Sequence, residues 1–361
     1  MEDLKNDGPA APAARPGFRE GMLDVGDGHT IYWRSHGNPD GPAVVILHGG
    51  PGGASNPRWA EFFDATRWRV VMFDQRGCGR STPFGELRAN TLAKLVEDTD
   101  ALRAALGIEA WAVFGGSWGT TLALAYGARY PERCTGFLLR GIFLARRQDI
   151  DWFLWDVRRV FPDAHARFLD AIERASGRRP ANAAQVLDFA QAPLTRFDTA
   201  GLRLAQLWSN YEYGLSAVGP MPEDASAKSG DDAQDAPATA TQAASPAVPS
   251  SAISMALLER HYMADELPPP DLLLQVHRIA HLPCYIVHGR FDMVCPADQA
   301  QALADAWSGA QLSIVKASGH YTFEPGIADA LRRDAERLYA DTGAGARVDN
   351  RVDTREHAAR G

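Results

Sequence analysis

Ser117 stands in Gly115-Gly116-Ser117-Trp118-Gly119, a G-x-S-x-G pattern with apolar WAVF before it and the helical run TTLALAYGARY after it. A serine hydroxyl is a weak nucleophile until geometry and a neighbouring base activate it. A tight strand-to-helix turn supplies the geometry: small residues on either side let the backbones pass, and the hydroxyl is left exposed at a helix N-terminus. Attack on a carbonyl also needs N–H donors for the oxyanion. They are expected from Trp118, the residue after the serine, and from Gly50 in HGGPGG (48–53), directly after the apolar run AVVIL. HGGPGG is not a phosphate loop, because it lacks G-x-x-x-x-G-K-[ST]. The acid and the base should follow the serine in that order. Asp292, in HGRFDMVCP, and His320, in KASGHYTFEPG, each follow a late apolar run and fill those roles. Asp298 is a weaker acid candidate, further from the strand end and on the next helix. His48 and His288 are read as structural, holding loops near the site.

Such a constellation requires strands that end side by side. Short continuous apolar runs at 43–47, 68–73, 111–114, 136–139, 284–288 and 311–315 read as strands buried on both faces. A strand–turn–strand reading over 22–33, with Gly26-Asp27-Gly28 as the turn, precedes them. Helical patterns at 91–106 and 120–130 alternate with the runs. The expected fold class is therefore α/β, a mostly parallel sheet covered by helices. The alternation stops over 144–280, a helix-rich and aromatic-rich stretch expected to form a cap inserted between two parts of the core, 17–143 and 281–341. Residues 1–16, 342–361 and a low-complexity stretch near 218–251 lack the apolar content to order themselves and are expected to be disordered.

The 361 residues carry a formal net charge of -8, which disfavours nucleic acid and anionic membrane surfaces as partners. No apolar run approaches the roughly 18 residues of a spanning helix, and the N-terminus lacks the pattern of a signal peptide. The four cysteines form no C-x-x-C pair, so no metal site is expected and a cytoplasmic location is.

HGGPGG (48–53), DQRGCGRSTP (74–83), VFGGSWGTTLALAYGARYPERC (113–134), LRGIF (139–143), GRFDMVCP (289–296) and SGHYTFEPG (318–326) together resemble the proline iminopeptidases. The resemblance implies the α/β-hydrolase fold with a helical cap. It also implies a serine aminopeptidase that releases N-terminal proline from short peptides through an acyl-enzyme, with neither metal nor other cofactor. An enzyme of that kind must recognise a free ammonium group. The family's W-x-x-[WY]-E and E-x-H-Y patterns are matched by Trp208-Ser209-Asn210-Tyr211-Glu212 and Glu259-Arg260-His261-Tyr262. By resemblance, Glu212 and Glu259 bind the amine, Phe143 and Phe153 wall the ring pocket, and Arg140 lies near the site. Met263 stands where the family has Phe, and Tyr321-Thr322-Phe323 where it has Ser-Ala-Phe, which implies a differently shaped pocket. Two other readings are a broader-specificity hydrolase (aminopeptidase, amidase or esterase) and a non-catalytic binding protein. The second would require a broken triad, and all three members are present.

Overall fold

A computed structural model describes residues 17–219, 250–266 and 272–342. The segments 1–16 and 343–361, and all of 218–251 but its ends, lie outside the described residues. Eight strands form one sheet: β1 Arg19–Asp24, β2 Thr30–Gly37, β3 Ala43–Leu47, β4 Arg69–Phe73, β5 Trp111–Gly116, β6 Cys134–Arg140, β7 Cys284–Gly289 and β8 Gln311–Val315. Their order is β1-β2-β4-β3-β5-β6-β7-β8. β1 and β2 form an antiparallel hairpin, β2 runs antiparallel to β4, and every later pairing is parallel. Asp27 (φ 56°) and its two flanking glycines turn the hairpin where the sequence places the turn.

The helices are α1 Leu92–Ala105, α2 Trp118–Arg129, α3 Arg147–Leu154, α4 Pro162–Ser176, α5 Ala183–Arg196, α6 Thr199–Leu215, α7 Ser250–Asp265, α8 Leu272–Gln275, α9 Asp298–Ala306 and α10 Pro325–Asp341. α7 begins two residues inside the stretch expected to be low-complexity loop. α1 starts where Thr91 accepts a hydrogen bond from the Lys94 N–H, at 3.2 Å, and α6 where Asp198 accepts one from Gly201, at 2.9 Å.

Side chains of the central strands alternate between two cores. Val45, Val71, Val113 and Leu139 face the cluster that holds α1, α2 and α9, whereas Val44, Val70, Ala112 and Leu138 face the one holding α10. Burial on both faces explains why these strands read as unbroken apolar runs. α3 to α7 lie between β6 and β7 in the chain and pack on one another around Phe168, Trp208 and Tyr211, joined to the first core. α8 falls within the stretch expected to be cap, yet packs against α2 and α9. Among the described residues no helix is long and apolar enough to cross a membrane.

Candidate active site

β5 delivers Ser117 at its carboxyl end, and α2 begins at the next residue. Ser117 has φ 56° and ψ -126°, a conformation that costs a non-glycine residue about 1–3 kcal/mol and persists only where its surroundings impose it. The surroundings are visible. A Cβ on Gly119 would lie 2.1 Å from the Leu47 carbonyl oxygen, and one on Gly115 would lie 2.5 Å from that of Gly119. The Ser117 N–H donates to Arg140 O at 3.1 Å, and its carbonyl accepts from the Thr120 N–H at 2.8 Å and hydroxyl at 2.7 Å.

Asp292 and His320 follow β7 and β8, whose parallel pairing brings their carboxyl ends beside that of β6. His320 Nδ1 lies 2.7 Å from Asp292 Oδ2. Asp292 Oδ1 accepts from the N–H groups of Val294 (3.1 Å) and Cys295 (2.7 Å). Burial pushes the Asp292 carboxyl up, but His320, His288 and the Cys295 N–H outweigh it and hold the group below its ordinary value. The carboxylate therefore fixes the proton of His320 on Nδ1 and leaves the Nε2 lone pair free to accept. Arg140 uses that lone pair: its Nη1 lies 3.3 Å from His320 Nε2 and donates to His320 O at 2.9 Å. No hydrogen bond joins Ser117 Oγ to His320 among the described residues. Asp298 instead approaches Arg146 at the surface, at 3.4 Å.

The loop after β3 lies against the elbow, since a Cβ on Gly49 would be 3.1 Å from Ser117 Cβ. Gly50 takes φ 110°, which glycine alone tolerates comfortably. Trp118 opens α2, so its N–H has no partner four residues back. His48 and His288 are buried and hold loops. His48 Nε2 accepts from the Gln75 N–H at 3.0 Å. His288 Nδ1 accepts from the Ile142 N–H at 3.1 Å, and its Nε2 donates to Cys295 O at 2.8 Å. Burial lowers the pKa of both rings, which keeps them neutral.

Glu212 on α6 and Glu259 on α7 share a side-chain hydrogen bond, and Glu212 also feels His320, Arg140 and Asp292. The Trp208 indole donates to Glu259 Oε2 at 2.6 Å, while buried Glu259 Oε1 and Glu212 Oε2 receive no donor from any other group among the described residues. Burial raises both carboxyls, Glu259 the further because the Glu212 charge opposes its ionisation. The pair thus keeps a proton well above the ordinary carboxylate range. α7 is pinned to the core: Ser254 Oγ donates to Gly52 O (2.6 Å), the Tyr262 hydroxyl to Asn90 Oδ1 (2.7 Å), and the Tyr262 ring packs on Trp118 at 4.6 Å. Phe143 lines a narrow apolar cleft with Pro51, Trp118, Ile150, Tyr262 and Met263. Phe153 is not among the residues lining that cleft; it packs on Tyr211, whose hydroxyl donates to its carbonyl.

Three supporting groups escaped the sequence reading. Ser216, just past α6, accepts the N–H groups of His320 (2.7 Å) and Tyr321 (2.8 Å) on its carbonyl. Glu324 accepts from Gly319 (2.7 Å) and Val218 (3.1 Å), tying the histidine loop to the end of α6. Gln75 joins His48 to Trp118. Backbone acceptors leave no sequence signal, whereas Gln75 stands inside DQRGCGRSTP and was legible as part of that motif.

Residues 42–326 match the α/β hydrolase fold family. The chain is 41% identical over 335 residues to a probable proline iminopeptidase of Leptolyngbya boryana, covering 91% of this chain and 96% of that one. It is 42% identical over 320 residues to the proline iminopeptidase of Xylella fastidiosa (strain Temecula1), covering 87% and 94%. Among solved structures, the proline iminopeptidase of Mycobacterium smegmatis superposes with TM-score 0.60 at 19% identity, over 91% of this chain and all of the other. A bromoperoxidase from Bacillus anthracis superposes with TM-score 0.58 at 14% identity, over 89% and 100%. At such identities those two likenesses speak for the fold alone.

Proposed function

Because the chain belongs to the proline iminopeptidases of the α/β hydrolase fold family, we propose that it is a serine aminopeptidase releasing N-terminal proline from short peptides. Glu212 and Glu259 receive the substrate ammonium, which completes the ionisation that burial opposes. The proline ring enters the cleft beside Phe143, which is too tight for a water molecule as it stands and must widen on binding. Ser117 Oγ attacks the carbonyl carbon of the N-terminal residue as His320 Nε2 takes its proton, with Asp292 steadying the imidazolium. That step requires His320 Nε2 to exchange Arg140 for Ser117, and hydrogen bonds of this kind tighten in the substrate complex. The Gly50 and Trp118 N–H groups hold the oxyanion, at about 3–4 kcal/mol per donor in comparable sites. His320 then protonates the leaving amine, and water repeats the sequence on the acyl-enzyme. Phe153 enters the proposal as support for the pocket, through the cap. The division into core (17–143 and 281–341) and cap (144–280) belongs to it as well. So does a cytoplasmic location, which the four free, buried thiols support.

The observation that carries this reading is the buried carboxyl pair, Glu212 and Glu259, which among the described residues finds a partner only in each other and the Trp208 indole and of which Glu212 feels the Asp–His pair. Two such groups are costly unless a cation completes them. Hydrolysis of a prolyl arylamide, its N-acetylated form and the alanyl equivalent tests it. The free prolyl compound should turn over at least about a hundredfold faster than the blocked one, since a unit charge pair near 4 Å is worth roughly 4 kcal/mol before desolvation. Ser117→Ala should abolish turnover with the fold retained. Equal turnover of the blocked compound would remove the amine site from the mechanism, and equal turnover of the alanyl compound would make the enzyme a broader aminopeptidase.

A further inference from the structure

The oxyanion donors proposed above sit on two separate pieces of backbone, the loop after β3 and the first residue of α2, which backbone contact at Gly49 and Gly119 brings close together. One side chain spans them. Gln75, two residues past β4, is 2% exposed and uses both ends of its amide. Its Nε2 donates to His48 O at 2.9 Å, and its Oε1 accepts from the Trp118 indole N–H at 3.1 Å. Its own backbone N–H donates to His48 Nε2 at 3.0 Å. With Nε2 occupied as an acceptor, the His48 proton is on Nδ1, 2.9 Å from Gly49 O. The chain of contacts therefore runs from Gly49, whose carbonyl carbon is bonded to the Gly50 nitrogen, through His48 and Gln75 to Trp118.

We infer that Gln75 is a positioning residue that holds the two halves of the oxyanion hole in register across their backbone contact. The inference rests on the serine-hydrolase reading and adds a residue to it. The amide suits the task because it is the one uncharged side chain of this length offering a donor at one branch and an acceptor at the other. A carboxylate would turn a lone pair toward His48 O, and an aliphatic chain would leave the His48 carbonyl and the Trp118 indole without a partner in a buried site. Oxyanion donors act only when held where the tetrahedral oxygen will be, so displacing them slows the chemical step with little effect on ground-state binding.

The test uses Gln75→Glu and Gln75→Met, with Trp118→Phe as a third variant that keeps Gln75 and removes the indole donor together with part of the cleft wall beside Phe143. Each is assayed for kcat and KM on the prolyl arylamide. Each is also assayed for inhibition by prolinal, whose aldehyde carbon takes the Ser117 oxygen to form a tetrahedral adduct. For folded Gln75 variants kcat should fall about ten- to a hundredfold, a fraction of the loss of a whole donor, with KM held within about threefold. The prolinal inhibition constant should rise in proportion to the loss in kcat/KM. Trp118→Phe should lower kcat and raise the prolinal constant by a smaller factor, with any KM change assigned to the cleft it lines, and it carries the test through kcat if the Gln75 variants do not fold. A kcat near wild type in any folded member, a loss confined to KM, or an unchanged prolinal constant would overturn the inference. Activity surviving Ser117→Ala would instead overturn the reading beneath it.

Discussion

At the scale of single residues, the site is defined by where protons reside. Asp292 is held as a carboxylate by three neighbours in spite of burial, whereas Glu212 and Glu259 are pushed the other way by burial and by each other. The two effects have opposite consequences for stability. A carboxyl whose pKa is raised by folding costs nothing below its ordinary value, about 4.3 for glutamate, where folded and unfolded chains are both protonated. As pH rises above that value the unfolded chain releases its protons first, and the folded state loses ground until the buried pair ionises as well. Glu259→Gln should therefore raise the Tm at pH 7–8 and leave it nearly unchanged near pH 4, while kcat/KM for the free amine falls by about tenfold or more. Melting curves at both pH values, read beside turnover, check this. A Tm gain equal at both would show that packing rather than charge was relieved.

At the scale of elements, the elbow exists because β3 and α2 pass at backbone contact. Only glycine at 119 permits it, since a Cβ there would meet the Leu47 carbonyl oxygen. Gly119→Ala should destabilise the fold by about 3 kcal/mol or more, because rigid backbone on the other side has no room to yield. Gly214 in α6 offers the contrast, with nothing within 4 Å of an added Cβ. Gly214→Ala should stabilise by roughly 0.5–1 kcal/mol through helix propensity alone. Denaturant melts of the pair decide the matter; similar shifts for both would refute the close-contact account of the elbow. α6 also links two parts of the site. Glu212 lies in its last turn, and the Ser216 carbonyl one turn on holds the backbone of His320. Any shift of that turn on the proposed amine binding is therefore felt at His320.

At the scale of the whole molecule, the sheet brings the proposed triad residues 117, 292 and 320 to the carboxyl ends of its strands, while α6 and α7 add Glu212 and Glu259. The same packing closes off the thiols. Cys78, Cys134, Cys284 and Cys295 are all buried, and burial pushes each pKa up, away from the reactive thiolate. Iodoacetamide at pH 8 should label none of them at the rate of free cysteine in the native enzyme and all four in denaturant. Fast labelling of any one thiol in the native state would contradict the packing described.

Much of this was legible in the chain itself. Parallel strands buried on both faces must be continuous apolar runs, so they announce themselves, and the turn at Gly26-Asp27-Gly28 is chemistry local to a few residues. The elbow is equally local, which is why Ser117 and the helix after it stand out in the sequence. Ser117, Asp292 and His320 appear in order because each ends or follows a strand. Pairing across long separations leaves no such mark. That Arg140 occupies His320 Nε2 and that Glu212 and Glu259 bond each other were decided only by tertiary packing. So was the span from His48 through Gln75 to Trp118. Those distances depend on how sheet and cap are stacked, and no local pattern of residues encodes the gap between two elements that meet only in the folded state.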